Sequence, residues 1–513
     1  MQAATVVWLK RDLRLHDHRP LFQAAQEGPV HLLYVFEPSL WSTEEYAWRQ
    51  LAFVHASLEA LQNELRPLGV QVDVVVGEVV EALAQLHAYH GGFPRLRSHQ
   101  ETGNDRTYAR DLVVAAWCRA QGVEWIEDAQ DGVIRRLGSR DGWAARWQQR
   151  MNAPLTDAPP RIVDAGWGAR RLPPLAQLAE CLGVPYRPVP ERPAGEAAAQ
   201  AELDSFLRRR GEHYSKEMSS PRTAPEACSR LSKHLAWGTI SMRQVHQRTR
   251  DRIEDLRWQR KHGESTGGWG RSLRSFHSRL HWRCHFMQKL EDEPELEFHA
   301  LSHALEDVGR ELDPLRFEAW KRGETGVPMV DACMRMLRET GWINFRMRAM
   351  LVSFASYQLW LPWQEAGRFL AAQFTDFEPG IHWAQMQMQS GVTGINALRI
   401  YSPVKQAADQ DPDGEFLARW LPELERVPAE HRAAPWEMPP LIAAAQGFEL
   451  GRDYPAPVVD PKESYHEANR RMRAARATEF ARAEAQRVVE QHGSRKGRAR
   501  EEQLTVFQKE RWR

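Results

Sequence analysis

Four short runs of branched and aromatic residues punctuate the first 130 positions: TVVWLK (5–10), VHLLYVF (30–36), VQVDVVVG (70–77) and VEWIED (123–128). Between them, YAWRQLAFVHASLEALQNEL (46–65) and NDRTYARDLVVAAWCRAQ (104–121) carry apolar residues at helical spacing. Strands alternating with helices at this interval predict a parallel sheet of βαβ units, a Rossmann-like α/β domain over 1–130. The G-x-G-x-x-G fingerprint is missing after the first strand, which disfavours a conventional NAD site.

Strand patterns stop after about residue 200. Residues 131–200, rich in Pro, Gly and Ala near VPYRPVPERPAGE, read as an interdomain linker. Helical periods then dominate, as in SLRSFHSRLHWRCHFMQKL, PMVDACMRMLRETGW and FRMRAMLVSFASYQLWL. They predict a second, all-α domain over 201–450. The tail, 451–513, is basic and helical: from Pro461 onward it holds 14 Lys and Arg against 8 Glu. Such a helix either lies solvated and loose on the body or contacts nucleic acid.

At 513 residues the chain exceeds what one core supports, so two or more domains are required. There is no run of eighteen apolar residues, and the N-terminus is charged too early for a signal peptide, which predicts a cytoplasmic protein with no membrane association. Five scattered cysteines without a C-x-x-C pair argue against a disulfide framework, a cysteine zinc site and an iron–sulfur cluster. A net charge of +1 gives no global attraction to nucleic acid, so any such binding needs a local basic face. Twenty tryptophans are the compositional oddity: they serve as core bulk or as stacking surfaces for flat rings. His277, His281 and His285 share one helix face, but without an H-E-x-x-H glutamate no metal site is predicted.

Several segments together resemble the photolyase/cryptochrome flavoprotein family. VVWLKRDLRLHDHRPL resembles its first strand and W-x-R-x-D-L-R-x-x-D signature. SRLSKHLAWGTIS (229–241) resembles its flavin-phosphate segment, and WKRGETGVPMVDACMRMLRETGWINFRMRAMLVSF (320–354) with LRIYSPVKQAADQDPDGEFLARWLPEL (398–424) resembles its most specific blocks. The resemblance runs from about 4 to 450 and implies an N-terminal α/β domain joined to a helical FAD domain.

For the cofactor, the resemblance implies FAD held by Tyr214, Cys228, Ser229, Arg230, Leu231 and Ser232 on the phosphate side. Short hydroxyls at a helix start suit a diphosphate, although Cys228 stands where the family commonly has Thr. Arg348, Asp376 and Glu378 fall at positions beside the flavin ring, where charged partners tune its redox states. Arg283 belongs to the same set and also to the DNA side. ETGNDRTYARD (101–111) resembles an antenna segment, with Asn104 and Asp105 at matching positions; an N-capped helix start explains it equally well. An antenna chromophore, folate, deazaflavin or other, is left open.

For the lesion, the resemblance implies a flipped pyrimidine dimer stacked on Trp282, with Arg283, Phe345, Arg346, Met388 and Gln406 at DNA-contact positions. Arg279 stands where cyclobutane-dimer photolyases have glutamate, an acceptor turned into a cationic donor, and Phe345 where an asparagine is usual. Read without gaps from Trp320 to Ser390, the family's three-tryptophan chain keeps only Trp363; the outer position falls on Arg310 and the flavin-proximal one on Met386. Trp360, Trp342, Trp383 and Tyr357 are candidate substitutes. The same reading sets His382 opposite the reactive flavin nitrogen, where an imidazole could exchange a proton near neutral pH. A two-residue gap would put Gly380 and Ala384 there instead.

The residues of IHWAQMQMQS (381–390) thus become candidates for the wall between flavin and substrate. Two functions follow from the resemblance: light-driven repair of UV-damaged DNA, with His382, Trp282 and Arg279 in the catalytic pocket, or a cryptochrome-type photoreceptor with a signalling partner. A monomer is expected.

Overall fold

The computed structural model describes residues 4–188 and 193–493. Five strands form one parallel sheet in the order β3-β2-β1-β4-β5: β1 Thr5–Leu9, β2 Val30–Phe36, β3 Val72–Val76, β4 Arg95–His99 and β5 Glu124–Asp128. Val7, Leu9, Leu32, Tyr34 and Val74 enter one buried cluster, while Val6, Trp8, Leu33, Val35 and Val75 enter another on the opposite face. Helices covering both faces account for strands that read as unbroken apolar runs.

β4 was not visible as a strand. Its sequence, RLRSH, looks polar, yet it is central, and its charges are matched by distant residues. Arg95 pairs with Glu27 and Glu124 at 3.0 and 3.1 Å, Arg97 pairs with Glu27 and Asp128, and His99 Nδ1 lies 2.7 Å from Asp12.

The principal helices are α1 (Trp48–Leu65), α2 (Asp105–Gln121), α3 (Trp143–Met151), α4 (Met242–Lys261), α5 (Trp269–Asp292), α6 (Phe345–Ser353), α7 (Trp363–Gln373), α8 (Pro379–Ser390), α9 (Pro461–Arg476) and α10 (Glu479–His492). The 131–200 stretch is more than a connection. It contributes α3, a parallel bridge from Asp164 to Val30 of β2, and Arg170, whose guanidinium holds Asp73 of β3 at 2.6 Å. A short helix, Leu175–Cys181, precedes the helix that starts at Gly195.

The two domains interlock through the turn after β1. Arg11 donates to the Phe377 carbonyl (3.0 Å) and the Tyr46 hydroxyl (3.1 Å), and its guanidinium lies over the Trp237 ring. Arg14 donates to the Gly238 carbonyl at 2.9 Å. Gly238 has φ +68°, and a Cβ there would overlap the backbone of Arg11 and Asp12, so only glycine permits this approach. At the start of α1, Gln50 donates to the carbonyls of Ala371 and Phe374 at 2.9 and 3.0 Å, fixing the end of α7.

The basic tail is not loose. Met472 of α9 and Val488 of α10 are fully buried. Arg476 donates to the carbonyls of Gly391 and Asn396 at 2.6 and 2.7 Å, capping the C-terminal end of α8. The remainder of the tail, 494–513, lies outside the described residues.

Candidate flavin and substrate site

α5 and α8 pack along each other at the centre of the helical domain. α5 turns Leu273, Phe276, Leu280 and Cys284 into the core at helical spacing. α8 starts on Pro379, whose missing N–H belongs to an orphan donor position, and stops at Gly391 with φ +81°.

Two arginine–carboxylate pairs flank this centre. Arg348 Nη2 reaches both oxygens of Asp376, at 3.0 and 2.8 Å, while its Nε donates to the Ile343 carbonyl. Arg283 Nη2 reaches Glu378 at 2.7 Å and the Leu235 carbonyl at 3.1 Å. Burial pushes the Glu378 carboxyl above its ordinary pKa, against the opposing pull of Arg283 and Arg11. Glu378 also lines a polar cavity between the domains together with Arg11, Glu101, Asp131, Gly238 and Arg283.

The 228–232 segment runs past the Asp376 side. Arg230 takes a left-handed backbone, φ +61°, and lays its guanidinium 4.2 Å over the Trp342 ring. Ser229 Oγ accepts from the Leu231 N–H, and Leu231 is buried at the head of a short helix, Ser232–Ala236. Ser232, Thr340, Thr375 and Asp376 line one cleft. Burial raises the Cys228 thiol to about 12, so it stays protonated and uncharged.

Tyr214 stands elsewhere than a phosphate contact alone would require. Its ring is edge-on to Phe206 and Phe276. On the adjoining face of α5, Trp282 and Phe286 are half-buried and stacked, with centroids 5.7 Å apart and planes 30° apart. Phe345 is exposed and Met388 half-buried. Three sealed polar atoms lack a protein partner: Asn344 Oδ1, Arg346 Nε and Gln406 Oε1. Ligand or water must satisfy such groups.

His382 is buried, and its Nε2 lies 2.9 Å from the Gly367 carbonyl. Burial lowers its pKa to about 4, with Arg348 adding to that and the Gly367 bond opposing it. Burial and the Gly367 bond favour a neutral imidazole with the hydrogen on Nε2 and Nδ1 left as acceptor. Trp383 is edge-on to His382 at 5.0 Å and to Trp363 at 6.0 Å. Met386 is buried in the core. Gln387 is a staple, bonding the Leu301 N–H and the carbonyls of Leu296 and His299.

Trp360 lies apart from this group. It has φ +54°, donates to the Gly309 carbonyl and sits between the guanidiniums of Arg310 and Arg471, at 5.1 and 5.0 Å. A radical cation on Trp360 would be penalised by both charges.

The histidine row of α5 packs on aromatic rings. His281 is edge-on to Trp143 and Trp147 of α3, and His277 lies 4.5 Å from His246. Asp12, His18 and His99 bring three ligand-type atoms together in the α/β domain. His18 Nδ1 already accepts the Leu21 N–H, so its Nε2 keeps the hydrogen and faces Asp12 at 3.0 Å; a metal would need an imidazolate. Asn104 caps α2 and donates to Glu45 at 2.7 Å, while the Asp105 N–H is taken by Glu297.

A parallel α/β domain latched to a helical domain with paired charges at its centre defines a two-domain nucleotide-cofactor protein. The comparisons give it a family. Residues 5–136 match the DNA photolyase model and residues 276–474 the FAD binding domain of DNA photolyase. The deoxyribodipyrimidine photo-lyase of Escherichia coli is 29% identical over 490 residues, covering 90% of this chain and 96% of the relative. Cryptochrome DASH of Gloeobacter violaceus is 28% identical over 493 residues, covering 90% and 94%. The structure of a bacterial class III photolyase from Agrobacterium tumefaciens superposes with a TM-score of 0.79 at 25% identity, covering 93% of this chain and 98% of that one. The chain belongs to the photolyase/cryptochrome family and carries its FAD-binding domain.

The residues fit that cofactor chemically. A cleft of short hydroxyls beside Asp376 suits a polar dinucleotide, the Arg348–Asp376 pair offers both charges to a flavin ring, and the buried Asn344 Oδ1 has no protein partner. No helix among the described residues is long and apolar enough to cross a membrane.

Proposed function

We propose that this chain is a FAD-dependent, light-driven lyase acting on pyrimidine photoproducts in UV-damaged DNA. Bound FAD, reduced and excited, would supply the electron that opens the lesion. The protein's part is to stack the extruded base, hold the flavin and exclude water. The observation that carries this reading is the half-buried Trp282–Phe286 stack, one turn from the Arg283–Glu378 pair. A flat aromatic surface of this kind suits a flipped base, because it replaces stacking lost from the duplex. Arg348 and Asp376 are assigned to the flavin ring, and Ser229 to Ser232 to its phosphate side. His382 would offer a fixed acceptor at Nδ1.

Trp383 is proposed as the residue that refills the flavin with electrons, backed by Trp363. Met386 cannot take the role, and Trp360 is flanked by two positive charges. Asn104 and Asp105 are engaged within the chain, so no antenna is assigned to them; a structure from Sulfolobus tokodaii with a similar fold contains two FAD molecules.

A second reading, a blue-light photoreceptor with little repair activity, is favoured by one residue. Arg279, a cationic donor, stands where the resemblance puts a glutamate acceptor for the dimer. The deciding experiment illuminates the reduced holoprotein with DNA carrying defined cyclobutane or (6-4) lesions. Loss of either lesion supports repair; loss of neither, with an intact flavin spectrum, removes it in favour of the receptor.

A further inference from the structure

We propose that Gln385 of α8 donates a hydrogen bond to a ring carbonyl of the bound flavin and, together with His382, favours the reduced form of that ring. The inference rests on reading His382 as a flavin-facing acceptor and goes beyond it by adding the donor that completes the pair.

Every residue of α8 is buried except Ile381, Gln385 and Met388, which recur at helical spacing and form one half-buried stripe. Gln385 Oε1 accepts from Gln389 Nε2 at 3.2 Å, and that bond turns the amide so that its own Nε2 points away from Gln389. This Nε2 is sealed from solvent and has no hydrogen-bond partner among the described residues. A sealed donor requires a partner, because leaving it unmade costs more than an ordinary hydrogen bond contributes. A cofactor that stays bound meets that need between turnovers; a base that comes and goes does not.

The donor lies one helical turn from His382, and side chains three apart on a helix are neighbours. His382 Nε2 donates to the Gly367 carbonyl, which leaves Nδ1 as an acceptor. The His382 ring packs 6.0 Å from that of Phe374, whose face carries the Arg348 guanidinium at 4.0 Å, itself paired with Asp376. The acceptor, the donor and the charged pair assigned to the flavin ring therefore share one corner of the helical domain.

A reduced isoalloxazine carries a hydrogen on N5 beside the C4 carbonyl oxygen, a donor next to an acceptor. His382 Nδ1 and Gln385 Nε2 offer the complement. The oxidised ring has a lone pair on N5, which would face the lone pair of Nδ1 unmatched. Its carbonyl oxygen also carries less negative charge, so the Gln385 bond is weaker there. Both groups thus hold the reduced ring more tightly.

The test is spectroelectrochemical titration and reduced-minus-oxidised infrared spectroscopy on the FAD-loaded full chain, in the dark and without DNA. Wild type is compared with Gln385→Met, Gln389→Leu and His382→Asn. Gln385→Met keeps the length of the side chain without the donor. It should lower the ratio of reduced to oxidised flavin at a fixed solution potential about fivefold, roughly 40 mV in a one-electron couple, and raise the flavin carbonyl stretching frequency. Gln389→Leu should give a smaller drop in the same direction, since the amide is then free to turn. An unchanged ratio and carbonyl band in Gln385→Met, or changes that arise only once lesion-bearing DNA is added, overturn the proposal. If His382→Asn shifts the potential while Gln385→Met does not, only the donor is wrong; if neither shifts it, the reading of α8 as the flavin's wall fails. None of these readouts depends on whether the chain repairs a lesion.

Discussion

His382 and Gly367 are joined by a hydrogen bond of 2.9 Å from the imidazole Nε2–H to the helix carbonyl, and this bond fixes the tautomer of the histidine. An asparagine at the same place could not reproduce both the Gly367 bond and an aromatic nitrogen acceptor. His382→Asn is expected to keep the fold but shift the potential of bound flavin by roughly 40 mV, one ordinary hydrogen bond in a one-electron couple. Spectroelectrochemical titration checks this; an unchanged potential would place His382 away from the ring.

Gly367 has a second duty. A Cβ on it would overlap the six-membered ring of Trp383, so α7 and α8 approach only because this residue is glycine. Gly367→Ala should destabilise the protein by about 1–3 kcal/mol through overpacking. It should also move Trp383 relative to Trp363 and lower the quantum yield of flavin photoreduction. Thermal melts and photoreduction under steady light measure the two effects.

Much of this architecture was legible in the chain, and what was hidden has a common cause. The apolar strands and the amphipathic helices announce themselves through local patterns, and the Arg348 and Asp376 positions through the family resemblance. β4 does not, since Arg95, Arg97 and His99 look like surface residues until Glu27, Asp128 and Asp12 are folded against them. Glu45 belongs to the charged stretch STEEYAW and meets its partner, Asn104, only in the fold. The tail reads as solvated because its 14 Lys and Arg outnumber its large apolar residues, most of its other apolar residues being alanine. Yet Arg476 spends its charge on helix-end carbonyls, while Met472 and Val488 are enough to bury it.

That burial makes the tail structural. Met472 lies against Tyr357 and Ala468 in a small core of its own. Met472→Ala should cost about 2–5 kcal/mol, the usual range for emptying a fully buried site, seen as a fall in denaturation midpoint. If α9 only rested on the surface, the loss would stay within about 0.5 kcal/mol.

The Arg348–Asp376 pair should be sensitive to loss of either charge alone. Asp376→Asn leaves a partly buried guanidinium over the Phe374 ring without its carboxylate. Because Arg348 keeps some solvent contact, the stability cost should fall below the roughly 3–5 kcal/mol of a fully buried pair. Flavin retention should suffer more, with the flavin-to-protein ratio after gel filtration falling well below that of wild type. Equal ratios would remove this pair from the cofactor site.

Acid should unfold the protein early. Burial holds His99, His234, His246 and His382 neutral, with pKa values near 3, 3, 4 and 4. In the unfolded chain each recovers an ordinary value near 6.5. Between that value and the folded ones the unfolded state binds more protons, so stability falls as pH falls. The loss begins near pH 6.5 and continues until each folded pKa is reached. Each imidazole contributes about 1.4 kcal/mol per pH unit inside this window. Integrated from pH 6.5 to 5.5, the four together cost about 4 kcal/mol, near the lower end of a typical domain's stability of about 5–15 kcal/mol. Glu37 and Glu297, raised by burial to about 7 and 8, take up protons in the folded state over the same range and oppose this loss. Urea midpoints measured from pH 8 to 5 should therefore peak near neutrality and fall at lower pH. His246→Gln should soften the slope, because it removes one of the groups that must charge on unfolding.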